Sequence, residues 1–145
     1  MPLNQGGYRM TRLALTALAA GLLFSSGAMA ATETFHATLS GAQQVPPVTT
    51  SATGTATVTI DTATGKATWS VTYSGLKPFA AHIHGPAPAG KNAGVLVPMK
   101  VGPSPITGSA MLSPKVIKII ESGDAYVNLH TAAHKGGEIR GQLTK

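Results

Sequence analysis

The chain has 145 residues, no cysteine, 11 Lys+Arg against 5 Asp+Glu, a formal net charge of +6 and only 5% aromatic residues. That composition excludes disulfides, thiolate ligands, a thiol nucleophile and an acylated cysteine, so any metal must be held by histidine or carboxylate. The basic residues are scattered and stacking platforms are scarce, which argues against nucleic-acid binding, where a basic stripe with aromatic platforms is needed.

In chain order, Arg9 and Arg12 come first, followed by an apolar run from Leu13 to Phe24 and then SSGAMA, with Ala28 and Ala30 in a small-x-small arrangement. This is the pattern of a secretory signal peptide, residues 1–30, cut between Ala30 and Ala31. The run is about a dozen residues, short of the roughly 20 that a membrane span takes, and no second run follows, so no membrane span is expected. The expectation is a periplasmic or secreted domain over residues 31–145, a length that suits one core.

From Phe35 onward the chain alternates. In FHATLSG, Phe35, Ala37 and Leu39 share one face and His36, Thr38 and Ser40 the other, the period of a half-buried strand. After the proline-broken AQQVPPV comes a hairpin, in which Ala56, Val58 and Ile60 answer Ala67, Trp69, Val71 and Tyr73 across a turn closed by Gly65. Strands follow at FAAHIHG, VLVPMKV and ITGSAML. SPKVIKIIESG then reads as one short helix, with Ser113 as N-cap, Pro114 at its first position and Gly123 as terminator. AYVNLHT and EIRGQLT close the chain as an antiparallel pair joined by AAHKGG. Seven or eight short strands with Gly and Pro turns predict an all-β fold, an immunoglobulin-like or Greek-key β-barrel or sandwich.

Strand parity sorts the polar residues. His82 and His84 share a face of FAAHIHG; Tyr126, Asn128 and His130 share one in AYVNLHT; Glu138, Arg140 and Gln142 share one in EIRGQL. All are read as outer faces. Same-face neighbours on a strand lie roughly 6.6 Å apart along the chain, close enough for two imidazoles to lean toward one ion. A third histidine, His130, would complete a surface site with an open position. Imidazole-only ligation suits copper or zinc, and copper binds tighter in the divalent series. The competing reading is that His82 and His84 hydrogen-bond the Gly-Pro turn and His130 donates to backbone.

His36, beside threonines, reads as a solvated surface residue. His134 lies in the closing turn and is a candidate fourth ligand. Arg140 is expected to hold Glu138 or an anionic ligand, and Asn128 and Glu138 to support the site. No nucleophile elbow, phosphate loop or acid pair is present, so the chain reads as a binding module rather than an enzyme. The alternative partner is a protein or polysaccharide bound without metal.

Three blocks, LSGAQQVPPV, YSGLKPFAAHIHGPAPAGKNAGVLV and SGDAYVNLHTAAHKGGEIRGQL, resemble the signature blocks of the CHRD domain, named from chordin and present in many exported bacterial proteins. The resemblance implies an immunoglobulin-like β-barrel with a distant likeness to copper-zinc superoxide dismutase. On that likeness His82, His84 and His130 would match copper ligands and Arg140 the arginine that guides superoxide. No histidine lies between His84 and His130, so the bridging ligand and the zinc loop have no counterpart, and a dismutase-like activity is the least favoured function.

Overall fold

The computed structural model describes residues 1–3 and 31–145, so the signal-peptide reading lies outside the described residues. The chain forms β1 (Thr32–Ser40), β2 (Thr53–Asp61), β3 (Lys66–Ser74), β4 (Pro78–His84), β5 (Val95–Met99), β6 (Ile106–Met111), α1 (Pro114–Glu121), β7 (Tyr126–Thr131) and β8 (Ile139–Gln142), with a 3-10 turn at Gly41–Gln43. All eight strands join one sheet in the order β5-β4-β7-β8-β1-β2-β3-β6, every pairing antiparallel. The end strands β5 and β6 approach each other, so the sheet is a nearly closed barrel. Among the described residues, the predicted all-β architecture with one short helix is the one observed.

Local pattern accounts for most of this. In the β2–β3 hairpin Ala56 faces Val71, Val58 faces Trp69 and Ile60 faces Ala67; these six side chains are buried. The other faces carry Thr55 opposite Thr72 and Thr53 opposite Ser74, with hydroxyls 2.6 and 3.3 Å apart. Gly65 closes the turn at φ +79°, where a Cβ would be strained. Phe35, Leu39, Val58, Ile60, Ile83, Leu129 and Ile139, each 0–1% exposed, converge from five strands inside the barrel. Each such side chain contributes about 1.5–3 kcal/mol by leaving water. Helix α1 starts where Ser113 Oγ accepts from the Val116 N–H at 3.4 Å, and Ile120 seals one end of the core.

One expectation fails. The polar face of β4, β7 and β8 is not an open outer surface: every residue of β7 is buried, as are His84 and Arg140. Three loops cover it. Residues 41–50 are tied down where Gly41 O accepts from the Gln44 and Val48 N–H groups at 3.1 and 2.9 Å. Residues 85–94 fold back through Gly85 N–H to Gly94 O at 3.1 Å, and residues 132–138 through Gly137 N–H to His134 O at 3.0 Å.

Candidate metal centre

Register brings the polar residues into rows across three strands. His82 lies opposite Asn128, which lies opposite Arg140; His84 lies opposite Tyr126, which lies opposite Gln142; His130 faces Ala80. Because Ala80 has almost no side chain, the His130 ring is free to turn diagonally toward His82. The result is that His82, His84 and His130 each bring one ring nitrogen within 4.8 Å of the other two. Ring centroids are 5.2 Å apart for His82–His84, 4.9 Å for His82–His130 and 5.6 Å for His84–His130.

Backbone carbonyls set the tautomers. His84 Nδ1 meets Ala93 O at 3.1 Å and His130 Nδ1 meets Lys135 O at 2.9 Å. A carbonyl oxygen only accepts, so both Nδ1 atoms carry the proton and both Nε2 atoms present a lone pair. His130 Nε2 accepts from His82 Nδ1–H at 3.1 Å. His84 Nε2 is buried and has no hydrogen-bond partner among the described residues. A buried acceptor left unpaired costs about 1–3 kcal/mol, and a cation is one thing that would repay it. The pattern, with one nitrogen held by a carbonyl and the other presented inward, is the arrangement that orients metal-ligating histidines.

The electrostatics favour the neutral form of His82 and His84. Burial lowers the pKa of His82, and the neighbouring His130 lowers it further. Burial also lowers that of His84, an effect the Ala93 carbonyl partly offsets and His82 and His130 reinforce. Both groups therefore bind protons more readily in the unfolded chain. The sign follows: stability is fully present above the unfolded value of about 6.5 and is lost as pH falls from there through the lowered folded values. For the metal-free protein the urea midpoint should climb with pH between 5 and 6.5 and flatten above it; a midpoint that does not change over that interval would contradict this account.

The remaining candidates do other work. Asn128 accepts from Gln44 Nε2 at 2.7 Å and donates to Gly136 O at 3.2 Å, pinning two covering loops to the strand that carries His130. Glu138 does not pair with Arg140. Its two oxygens accept from Thr50 and Thr131 hydroxyls, each at 2.7 Å, and the Thr131 bond leads in holding its pKa below the usual carboxylate range. Glu138 precedes β8, and the Thr50 and Thr131 hydroxyls take up one carboxylate oxygen each. His134 is outside the three-histidine group; its turn contributes the neighbouring Lys135 carbonyl instead. His36 is exposed and meets Thr57 Oγ1 at 3.2 Å.

Arg140 is 1% exposed and lies with its guanidinium carbon 3.4 Å from the centroid of the Tyr126 ring. That ring in turn stacks on His84 at 5.0 Å and 5°. Burial lowers the arginine's pKa and Tyr126 opposes the shift. Sequence reasoning placed Tyr126 on this face by parity and gave it no role, yet its hydroxyl donates to Ala93 O at 3.2 Å and accepts from Ala93 N–H at 3.0 Å, so it fixes the carbonyl that orients His84. Gln44 and Asn92 were missed because they sit in loops with no period to read.

A family model described as the CHRD domain matches residues 35–143, most of the chain. The chain belongs to the CHRD domain family. No curated protein and no solved structure matches. In this CHRD domain the HIH strand, the NLH strand and the IRGQ strand are the adjacent β4, β7 and β8. Among the described residues no helix is long and apolar enough to cross a membrane.

Proposed function

We propose that this CHRD domain is an exported copper-binding module that buffers or delivers the ion through His82, His84 and His130. The observation that carries the reading is the buried Nε2 of His84, without a hydrogen-bond partner among the described residues, in a three-histidine group whose His84 and His130 rings are both oriented by backbone carbonyls. The donor set is three imidazoles with no carboxylate in the group, which suits copper or zinc and excludes the oxygen-rich coordination that magnesium and calcium take. Copper forms the tighter complexes of the two with such ligands. His82 would exchange its hydrogen bond to His130 for a bond to the ion. Three protein ligands leave a position open, as delivery to a partner needs.

Arg140 is no part of the ligand set, and the Tyr126 ring between it and His84 argues against a role in guiding an anion to the metal. Dismutase chemistry is correspondingly disfavoured. Export by a leader ending at Ala30 places the module in the periplasm or outside the cell, where the intact mass of the processed protein should begin at Ala31.

Calorimetric titration of metal-free protein with Cu(II) and Zn(II) tests the reading. One equivalent of copper should bind, more tightly than zinc, with affinity falling as pH drops through the imidazole range. Absence of saturable binding by either ion would leave the histidines as hydrogen-bonding supports and turn attention to protein or polysaccharide partners.

A further inference from the structure

A second site stands on the far side of Tyr126. Arg140 is 1% exposed, yet among the described residues the ion pair within 4 Å is Lys145 with Glu33, and no carboxylate reaches the Arg140 guanidinium. Its partners are Asn92 Oδ1 at 3.1 Å, Lys91 O at 2.8 Å and, at 3.5 Å, Gln142 Oε1. Three neutral dipoles and an aromatic face spread the charge without cancelling it, and a buried cation that keeps its charge calls for an anion. Arg140 is one of the residues lining a cleft of about 410 Å³ that contains none of the three histidines.

The walls say what kind of anion. Ala42, Val45, Pro47 and Ala89 make up the apolar part of the lining. The side-chain amides of the lining already donate: Gln43 Nε2 to Thr38 O, Gln44 Nε2 to Asn128, and Gln142 Nε2 to Ala87 O and Gly123 O. A phosphate needs several donors at once, and the side-chain amides of this cleft already donate within the protein. A carboxylate needs one guanidinium, and an apolar body behind it would cover the alanine, valine and proline walls. We propose that the Arg140 cleft binds a small amphipathic monocarboxylate, its carboxyl group toward Arg140 and its apolar body along Val45, Pro47 and Ala89.

Octanoate is the probe, titrated calorimetrically into the full chain, with octanamide as its uncharged counterpart. Octanoate should saturate one site, and octanamide should bind at least about tenfold more weakly, since it lacks the charge. Arg140→Ala risks the fold, so Ala89→Glu, at an exposed rim position, is the informative variant. It should weaken octanoate roughly tenfold by like-charge repulsion while leaving the unfolding midpoint unchanged. His82→Ala should bind octanoate as the parent does. Equal affinity for octanoate and octanamide, undiminished binding by Ala89→Glu, displacement by inorganic phosphate at matching concentration, or no binding at millimolar octanoate would each overturn the proposal.

Discussion

Replacing His84 with alanine should cut copper affinity by about 100-fold or more, whereas His36→Ala should leave it unchanged. Loss of a group that merely orients a ligand costs 10–100-fold in related sites, so loss of a ligand itself sets the higher expectation. His84 is the sharper choice among the three because its Nε2 makes no hydrogen bond among the described residues. Removing it takes away a lone pair that supports nothing else, although the ring also stacks on Tyr126 and holds Ala93 O. The exposed His36 controls for histidine acting as a nonspecific ligand. Titration of both variants, paired with urea denaturation, separates the two readings of the cluster. Reduced affinity with a largely kept midpoint supports a metal centre; an unchanged affinity with a lowered midpoint means that the histidines serve the fold.

How far this site can be read from the chain depends on the range of the interaction. The β2–β3 hairpin and the Ser113-capped helix were legible because parity, turn and cap lie within about twenty residues of each other. The shared face of His82 and His84 was legible for the same reason. Their meeting with His130 was only permitted by parity, since it needs β4 and β7 to be neighbours across 48 residues and Ala80 to leave room opposite His130. Burial of the face could not be read at all. Alternation says which side chains point away from the core; it does not say that loops 41–50, 85–94 and 132–138 return to cover them. The same gap explains the Arg140–Glu138 expectation: closeness in sequence suggested an ion pair, but Thr50, 88 residues from Glu138 in sequence, occupies the carboxylate.

Gly137→Ala should destabilise the protein by about 3 kcal/mol and weaken copper binding without touching any candidate ligand. Gly137 has φ +122°, in a region that alanine enters only at a cost of about 1–2 kcal/mol. A Cβ there would also collide with the Asn128 carboxamide. Asn128 is 3% exposed, so displacing it breaks its bonds to Gln44 and Gly136 O in a place water does not readily enter, adding about 1–3 kcal/mol. The turn that moves with it carries Lys135 O, the acceptor that fixes the His130 tautomer. A shifted carbonyl lets the ring present Nδ1 instead of Nε2, so affinity should fall in the 10–100-fold range seen when an orienting partner is lost. Gly136→Ala is the control, because a Cβ at that position meets nothing within 4 Å and its φ is unremarkable for an alanine. Urea midpoints and copper isotherms of the two variants check the argument together. If Gly137→Ala loses stability and keeps the parent affinity, the turn is a structural tie alone; if both quantities fall while Gly136→Ala matches the parent, the closing loop holds the third histidine in its binding form.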